Sequence, residues 1–392
     1  METTGIGAAI RAHLDRDRLV ADLVGWVRLE TPSHDAAASA AIAELLAERW
    51  RRYGTVETIP TSVGTHVVAE IAGTGPAPVV LLGHSDTVWP VGTLAGAVPL
   101  RVGADVVSGP GCYDMKAGLV IMLAAVDALT SLGLPHPPLR IVIAADEEVG
   151  SGSATPTVQA ACGGAAAVLG FESPHPDGSL KVGRLGSTRL RLRVTGREAH
   201  AALDPDAGVS AIEELVDQLV SVREAMAAIA SRRPGELLYN LGAVSGGGRT
   251  NVVPASAEAL IGLRLGTAEA EAEANGVLAD LAARRPGATV ETEILSSRPA
   301  WQASASDRAL LAAVGAVSAA LGVPVSGLPA AGAADTNTSG SLGVPTLDGF
   351  GPIGGGAHAV GEHIRIDSLL DRIVLLTTLL ASWDQSVTSS QS

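Results

Sequence analysis

The sequence has very little cysteine and few aromatic residues. Its 392 residues include only Cys112 and Cys162, too few for a disulfide framework, so we expect a protein of a reducing compartment. Aromatic side chains make up 3% of the chain, whereas glycine alone contributes 46 residues. A core of this composition must depend on small side chains and close approach of backbones.

Basic residues are also scarce, since 27 Lys and Arg stand against 41 Asp and Glu and give a formal net charge of −14. This charge would repel nucleic-acid phosphates, although a locally basic pocket could still bind a small anion. No stretch approaches the roughly 18 apolar residues of a membrane span, and residues 1–19 lack the apolar run of a secretory signal. We therefore expect a soluble cytoplasmic protein with no nucleic-acid or membrane partner and a frayed polar tail over residues 386–392.

The length of the chain and a change of pattern along it predict two domains. Apolar strands alternate with helical segments on either side of a central region, with strands at 78–82, 140–145 and 165–169 and helices at 116–132, 306–321 and 367–383. This alternation favours an α/β fold with a mixed, mostly parallel sheet and helices on both faces. Residues 1–182 and 298–392 would together form this domain.

The central region, residues 183–297, follows a different pattern. Arg189, Arg191 and Arg193 alternate with apolar residues, as in a strand with one solvated face. The segments then follow the order β-α-β-β-α-β, with helices at 209–229 and 268–283. That order is typical of the ferredoxin-like α+β unit, so we expect an inserted domain here.

Residues that can bind a metal recur where consecutive strands should end. They are His84 with Asp86, Asp114, Glu147 with Glu148, Glu172 and His358. Strand ends of an open α/β sheet converge on one crevice, where such folds place their chemistry. Imidazole nitrogens and carboxylate oxygens that meet there suit zinc. Each segment is a weak signal alone, but their joint recurrence predicts a metal site.

The earlier segments each have a structural alternative. His84 and Asp86 are two residues apart, so on an extended strand they point the same way, as a ligand and its supporting carboxylate do. They could also be a chance polar pair at a strand end. Asp114 follows a Gly-Pro-Gly loop and precedes a helix, where it could cap the helix N-terminus or bridge two metal ions.

The later segments are equally open. Glu147 and Glu148 could reach one site only if the strand has ended and turned, and they would then be one metal ligand and one general base, in either order. The alternative is a solvated strand end that also includes Asp146. Glu172 and His358 could be ordinary loop residues, although the glycines before His358 would let the backbone approach a site closely.

Taken together, these segments resemble a known family. Its members are the di-zinc aminoacylase and carboxypeptidase metallopeptidases (peptidase family M-20), with a pattern like that of the glutamate carboxypeptidase (carboxypeptidase G) branch. The resemblance extends over nearly the whole chain, including the inserted domain. The matching segments are Gly83-His84-Ser85-Asp86, Gly109-Pro110-Gly111-Cys112-Tyr113-Asp114-Met115-Lys116, Asp146-Glu147-Glu148-Val149-Gly150-Ser151, Glu172 and Gly356-Ala357-His358.

The resemblance implies a role for each metal-site residue. One zinc ion would be held by His84, Asp114 and Glu172. A second would be held by Asp114, Glu148 and His358, so that Asp114 bridges the two ions. Glu147 would be the general base and Asp86 the support of His84. Co²⁺ or Mn²⁺ could replace zinc, and Cys112, where the family has a small apolar residue, is interpreted as a neutral substitution.

The resemblance also implies roles within the inserted domain, which would act as a lid and dimerisation domain of a homodimer. His200, in Gly196-Arg197-Glu198-Ala199-His200, would reach the oxyanion from the partner subunit. Asn251 would hydrogen-bond the substrate, and Arg264 would clamp a substrate carboxylate. Without the resemblance, His200 would be an ordinary loop residue and Arg264 part of a solvated strand face. Asp335 and Thr336 match a polar loop beside the site.

We therefore predict a zinc-dependent metallohydrolase that cleaves an amide bond in small carboxylate-bearing peptides or N-acyl amino acids. The expected reaction is release of a C-terminal amino acid such as glutamate, by a zinc-bridging water that Glu147 activates. An N-acyl-amino-acid deacylase or dipeptidase on the same scaffold is the alternative. A catalytically silent binding protein is disfavoured because Glu147 accompanies a full ligand set, and a nucleotide-binding domain because the G-x-G-x-x-G context is missing.

Overall fold

The structure, a computed structural model, describes residues 2–383, so the tail expected to be frayed lies outside the described residues. Within these residues, helices alternate with strands toward both ends of the chain, and two further helices lie between the strands of the central region. Their bounds are α1 (Thr3–His13), α2 (Arg16–Val27), α3 (Ala36–Trp50), α4 (Ala117–Ser131), α5 (Thr155–Cys162), α6 (Ala211–Arg232), α7 (Ala268–Ala279), α8 (Ala305–Ala320), α9 (Thr336–Ser341) and α10 (Ile366–Ala381). Among residues 2–383, no helix is both long and apolar enough to cross a bilayer.

The strands range from two-residue pairings to ten-residue segments. They are β1 (Thr55–Pro60), β2 (Thr65–Ile71), β3 (Val79–His84), β4 (Arg101–Val102), β5 (Val106–Ser108), β6 (Leu139–Ala144), β7 (Ala167–Gly170), β8 (Leu180–Arg184), β9 (Gly186–Thr195), β10 (Ala199–His200), β11 (Leu237–Gly246), β12 (Val252–Val253), β13 (Ser256–Leu265), β14 (Thr289–Arg298), β15 (Gly327–Ala330), β16 (Thr346–Leu347), β17 (Gly354–Gly355) and β18 (His363–Arg365).

The chain forms two compact units. The first contains the described residues up to Gly183, Ala303–Ala330 and those from Ala334 onward. The second contains Arg184–Gln302 and Ala331–Ala333. We call them the first unit and the second unit.

A six-stranded sheet in the order β1-β2-β6-β3-β7-β16 runs through the first unit. Strands β6, β3, β7 and β16 are mutually parallel, whereas β1 and β2 add an antiparallel edge. The predicted α/β fold with a mixed, mostly parallel sheet is confirmed. Because parallel strands end at the same edge, the residues that follow β3, β6, β7 and β16 are brought to one side of the sheet.

Helices cover both faces of this sheet, as predicted. Alternate residues of β3 point to opposite sides, as the pleat requires. Val79 and Leu81 join the large core cluster that also contains the apolar residues of α3, α4 and α10. Val80 and Leu82 belong to a smaller cluster with Val158 of α5. The sheet is therefore buried on both sides, which explains why its central strands are almost wholly apolar.

Several elements depart from the sequence-based expectation. The strand expected to stop before Gly83 continues to His84, because Gly83 and His84 still pair with Ile143 and Ala144 of the neighbouring strand β6. A Cβ at Gly83 would lie 2.7 Å from the end of the Met115 side chain, so the glycine leaves room for it. Helix α1 and strands β1 and β2 were not predicted. Helix α1 has only a few buried apolar residues, and Ile6 and Ile10 are covered by Val374 of α10, a contact between distant segments.

The second unit contains a four-stranded antiparallel sheet in the order β11-β13-β9-β14, with α6 and α7 between its strands in the chain. Leu190, Leu192 and Val194 face a core shared with both helices, whereas Arg189 and Arg193 are exposed on the opposite face. The connection from β11 to β13 is more than the predicted glycine link, because it includes β12, which pairs with β10. Helix α7 also ends at Ala279, before the predicted residue 283.

Candidate metal centre

Three of the predicted metal-site segments lie at neighbouring strand ends of the first unit. His84 is the last residue of β3, and Glu172 follows β7 after Phe171. Glu147 and Glu148 follow β6 in a 3₁₀ turn, Glu147–Val149. Since β3 pairs in parallel with both β6 and β7, these side chains start from the same edge of the sheet. The strand therefore ends and the chain turns at this point, which is the condition under which the side chains of both glutamates could reach one site.

The remaining two segments approach from loops. Asp114 lies in the turn Cys112–Lys116 before α4, and the helix begins at Ala117 with Lys116 in the N-cap position. Asp114 is therefore not the helix cap, and that alternative is wrong. His358 has a left-handed backbone with φ of 60° and follows Gly356 with φ of 76°, so the loop turns sharply at the site.

The five predicted ligands come within contact distance of one another. His84 Nε2 lies 3.3 Å from Asp114 Oδ1 and 3.3 Å from Glu172 Oε1. His358 Nε2 lies 3.3 Å from Asp114 Oδ2 and 3.1 Å from Glu148 Oε2. Each oxygen of Asp114 thus faces a different histidine, which is the arrangement that a bridging carboxylate requires.

These spacings fit tetrahedral zinc. Zinc bonds of about 2.0–2.1 Å to nitrogen and oxygen place neighbouring ligand atoms about 3.3 Å apart in a tetrahedron. The buried atoms His84 Nε2 and Glu148 Oε1 make no hydrogen bond within residues 2–383. Leaving buried polar atoms unsatisfied is costly, so a cation bound between them would stabilise the arrangement. The residues present therefore fit a metal ion.

The carboxylates make the centre electrostatically favourable for positive charge. Interactions with Asp114 and Glu148 raise the pKa of His358 to about 10. Burial alone would lower the pKa of His84, but Asp114, Asp86 and Glu172 outweigh it and raise that pKa well above its usual value. Burial alone would likewise raise the pKa of Asp114, yet His358 and His84 hold it well below its usual range.

Asp86 organises two ligand segments at once. Its backbone carbonyl lies 3.0 Å from His84 Nδ1 and its Oδ1 lies 3.3 Å from the same nitrogen, so the opposite ring nitrogen, Nε2, faces the centre. Its carboxylate also accepts hydrogen bonds from the backbone N–H of Glu147 at 3.1 Å and of Glu148 at 3.2 Å. Ser33 donates a further hydrogen bond of 2.7 Å. Asp86 is therefore no chance polar partner of His84.

The three acids after β6 are not a solvated strand end. Asp146 and Glu147 are buried, and the side chain of Glu148 is 6% exposed. Asp146 accepts hydrogen bonds from the backbone and side chain of Ser153, at 2.7 and 2.8 Å. Glu148 Oε2 lies 3.1 Å from His358 Nε2, and a Glu148 oxygen also lies within 4.8 Å of ligand atoms of His84 and Asp114. A Glu147 oxygen lies within 4.8 Å of ligand atoms of His84 and Glu172. Both glutamates therefore lie beside His84, and Glu148 also contacts His358.

Two buried carboxylates that the sequence analysis did not identify support the ligand turns. Glu362 accepts the backbone N–H groups of Gly111, Tyr113 and Asp114. Asp348 accepts the backbone N–H of Glu172 at 3.2 Å. Asp348 directly follows β16 and so carried the same strand-end signal as the ligands, whereas nothing in the sequence around Glu362 points to its role.

Three further residues near the metal-site segments form hydrogen bonds with groups other than the predicted ligands. They are Cys112, Asp335 and Thr336. Cys112 is fully buried, its Sγ lies 3.7 Å from the Val107 carbonyl that accepts its hydrogen bond, and burial raises the pKa of its thiol. Asp335 accepts a hydrogen bond from the Ser151 hydroxyl, and the hydroxyl of Thr336 donates to Asp348 at 2.7 Å.

The remaining predicted residues belong to the second unit. His200 pairs with Val252 across β10 and β12, and the Asn251 carbonyl accepts the N–H of Ala201 at 3.0 Å, so His200 and Asn251 are neighbours. Arg264 is exposed on β13 and donates a hydrogen bond to the Ser187 hydroxyl on β9.

Comparison with known proteins identifies the family and agrees with the fold. The sequence pattern of peptidase family M20/M25/M40 matches residues 80–382. The chain belongs to this family, and the protein is a metallohydrolase. The match extends over the described metal-site residues and the second unit.

Related proteins of named activity include peptidases and a deacylase. Carboxypeptidase G2 of Pseudomonas sp. (strain RS-16) is 27% identical over 376 residues, which cover 93% of this chain and 89% of that protein. Succinyl-diaminopimelate desuccinylase 2 of Shewanella loihica is 29% identical over 244 residues, which cover 58% of this chain and 62% of that protein.

Solved structures share the fold at low sequence identity. The M20 family metallo-carboxypeptidase Sso-CP2 of Sulfolobus solfataricus superimposes with a TM-score of 0.72 at 16% identity, over 94% of this chain and 99% of that one. Human carnosine dipeptidase 1 gives a TM-score of 0.69 at 15% identity, over 97% and 99% of the two chains.

Zinc binding to the metal-free protein should release protons at pH 7.5. Asp114 and Glu148 raise the pKa of His358 to about 10, so its imidazole is protonated at this pH, yet it must be neutral to bind a metal. We expect at least one proton to be released per protein when both sites fill. Calorimetric zinc titrations in buffers of different ionisation enthalpy measure this number. The variant His358→Ala should release about one proton fewer, and zinc binding with no buffer dependence would contradict the expectation.

Proposed function

We propose that the protein is a zinc-dependent amide hydrolase of carboxypeptidase type, which releases a C-terminal amino acid such as glutamate from a small peptide or N-acyl conjugate. The observation that carries this proposal is the position of Asp114 between two histidines, with Glu172 completing one group and Glu148 the other. Two metal positions that share one carboxylate suit hydrolysis of an amide better than a purely structural metal, whose site is usually closed by four protein ligands.

The ligands would divide between two ions. His84, Asp114 and Glu172 would hold one, and Asp114, Glu148 and His358 the other. Bound zinc supplies Lewis acidity, which lowers the pKa of water and polarises a carbonyl group. Three protein ligands for each ion leave room for water or substrate, as in catalytic zinc sites.

Glu147 would be the general base. Its side chain is buried beside His84 and Glu172, and its backbone is fixed by Asp86. Glu147 would take a proton from the attacking water as the new C–O bond forms at the amide carbon. It would then pass that proton to the leaving nitrogen as the C–N bond breaks, so that an acid and an amine are released.

His200 would stabilise the oxyanion from the partner subunit. Its Nδ1 accepts the backbone N–H groups of Ala202 at 3.2 Å and Leu203 at 3.1 Å. An imidazole that accepts at Nδ1 carries its proton on Nε2 when it is neutral. His200 is therefore prepared to donate a hydrogen bond to developing negative charge, as an oxyanion donor must. Its neighbour Asn251 would hydrogen-bond the substrate.

The carboxylate of the substrate would be bound by Arg264. A guanidinium can hold a carboxylate through two parallel hydrogen bonds, and Arg264 is exposed on β13 with one contact to the Ser187 hydroxyl. The carboxypeptidase reading is supported by the similarity to carboxypeptidase G2 over 93% of this chain. The shorter similarity to a succinyl-diaminopimelate desuccinylase supports the alternative, an N-acyl-amino-acid deacylase on the same scaffold.

A homodimer formed through the second unit is part of the proposal. Strand β11 is an edge of its sheet and exposes Leu238, Leu241 and Val244. Unpaired edges with apolar side chains readily pair with another chain.

The double variant Leu241→Lys/Val244→Lys should be monomeric in sedimentation velocity, because charge on β11 opposes pairing. It should also lose most turnover if His200 acts from the partner. Leu342→Lys, at an exposed apolar residue of the first unit, is the control that should stay dimeric. An active wild-type monomer would rule out the trans role of His200.

Replacing Glu147 with Gln should leave zinc content near normal and lower kcat by about 10²–10⁴-fold, the usual contribution of a general base. Glu147 is not among the proposed ligands, and the amide side chain keeps its size. Zinc content by atomic emission and kcat by product release measure the two effects. Glu48→Gln, at an exposed acid of α3, should change neither. Normal turnover of the Glu147 variant would refute its role.

A panel of peptidyl and N-acyl amino acids should distinguish the two proposed activities, with glutamate conjugates turned over fastest by the zinc-loaded enzyme. Arg264→Lys should raise KM for substrates with a free carboxylate about tenfold or more, because Lys cannot make the bidentate contact. Substrates with an amidated C-terminus should show no such change. Arg189→Lys, on the same face of the sheet, is the control. An equal rise in KM for both variants would show that Arg264 does not bind the substrate carboxylate.

A further inference from the structure

The carboxylate of Glu362 is fully buried and takes part in none of the roles described above for the reaction. It accepts hydrogen bonds on both oxygens. Oε2 accepts the indole N–H of Trp89 at 2.7 Å and the backbone N–H of Gly111 at 2.9 Å. Oε1 accepts the backbone N–H groups of Tyr113 at 2.9 Å and Asp114 at 3.1 Å.

The backbone of Glu362 adds a second connection. Its carbonyl accepts the N–H of Gly109 at 3.2 Å, so the residue contacts the turn before α4 from Gly109 to Asp114. Its own N–H donates to the Ala359 carbonyl at 2.9 Å, within the tight loop that carries His358. One residue therefore joins the turn that carries Asp114 to the loop that carries His358.

The cost of burying this carboxylate indicates that the connection is a specific one. An ionised carboxylate away from water is unfavourable unless it is paired or hydrogen-bonded. Every hydrogen-bond partner of the Glu362 carboxylate within residues 2–383 is an N–H group, three of them from a single backbone turn. The four donors offset part of the cost of burial, and in return they fix the path of that turn.

We propose that Glu362 is a positioning residue that holds Asp114 and His358 at the separation that a shared metal ion requires. The proposal rests on the proposed function, since it assumes that these two residues bind the same ion. In the structure Asp114 Oδ2 and His358 Nε2 are already 3.3 Å apart. Ligands that are prepositioned lose less freedom when the ion binds, and partners behind the ligands contribute about 10–100-fold to metal affinity.

The variant Glu362→Gln distinguishes a carboxylate that positions the turn through its hydrogen bonds from a side chain that only fills space in the core. Gln has nearly the same shape as Glu, but one of its two oxygens is replaced by an NH₂ group. Whichever way the amide is oriented, that NH₂ group faces two N–H donors, either Trp89 and Gly111 or Tyr113 and Asp114. A residue that only fills space would tolerate Gln, whereas the proposed role would not.

The matched control is Glu214 in the second unit. It is also fully buried and accepts the backbone N–H groups of Arg284 and Arg285, both at 2.9 Å, and the Gln218 amide at 2.7 Å. Glu214→Gln thus removes a comparable set of hydrogen bonds in the unit that lacks the metal ligands. A general loss of stability should appear in both variants, and a loss of metal affinity only in the first.

Zinc affinity of the metal-free protein is the decisive measurement, made by competition with a chromogenic chelator. The wild type should bind two zinc ions. In Glu362→Gln the affinity of the site formed by Asp114, Glu148 and His358 should fall by about 10–100-fold. The affinity of the other site should change less, because the two sites share only Asp114. Glu214→Gln should bind as the wild type does. If Glu362→Gln binds both zinc ions with the affinities of the wild type, the positioning role is refuted.

Backbone exchange gives a second readout that needs no metal. In the metal-free protein the amides of Gly111, Tyr113 and Asp114 should exchange with solvent faster in Glu362→Gln than in the wild type. If that variant does not fold, Trp89→Phe removes a single donor to the carboxylate and should lower the affinity of the site formed by Asp114, Glu148 and His358 several-fold. Unchanged affinity in a folded Trp89→Phe would then count against the proposal.

The outcomes separate the positioning role from the proposed function. A wild type that binds two zinc ions and turns over substrate, together with a Glu362→Gln variant of unchanged affinity, would refute only the positioning role. A wild type that binds no zinc would refute the proposed function and the positioning role with it. A variant that binds zinc weakly and regains turnover at high zinc would support both.

Discussion

The candidate metal centre depends on hydrogen bonds from the backbone N–H groups of its ligand turns to three buried carboxylates. Asp86 accepts the backbone N–H groups of Glu147 and Glu148. Glu362 accepts three N–H groups around the turn that carries Asp114, and Asp348 accepts the N–H group of Glu172. A carboxylate can accept several N–H groups at once, and such hydrogen bonds are stronger than those to neutral acceptors. The parallel strands bring the turns to one edge, and these carboxylates then set where each side chain begins.

The same arrangement favours the binding of a cation. The ligand carboxylates and their buried supports concentrate negative charge in a region largely removed from water, where unpaired charges cost most. The pKa values of His84 and His358 are raised because an imidazolium partly compensates that charge. Divalent ions would compensate it further and would also satisfy His84 Nε2, which makes no hydrogen bond among the described residues. The hydrogen bonds fix the positions of the ligand turns, and the charge of bound metal ions would balance the negative charge of the carboxylates.

Much of this could be predicted from the sequence, because strand ends carry a local signal. Apolar runs followed by His84, Glu147 or Glu172 predict both the parallel sheet and the edge where these side chains meet. Glu362 could not be predicted in this way, because its partners are backbone N–H groups that leave no pattern in the residue types. Helix α1 was missed for a similar reason, since its few apolar residues are covered by a distant helix. The roles of His200 and Arg264 came from family resemblance, and their exposed positions alone would not suggest them.

The distinction between Glu147 and Glu148 shows what the turn contributes. Both follow the same strand and both donate their amides to Asp86, so neither sequence nor backbone hydrogen bonding separates them. In the short helical turn Glu147–Val149, however, the two side chains have different neighbours besides His84. Glu148 Oε2 lies 3.1 Å from His358 Nε2, whereas a Glu147 oxygen lies within 4.8 Å of a Glu172 oxygen. Because the same carboxylate anchors both residues, a proposed ligand and a proposed base can have different neighbours while their backbones stay fixed relative to His84.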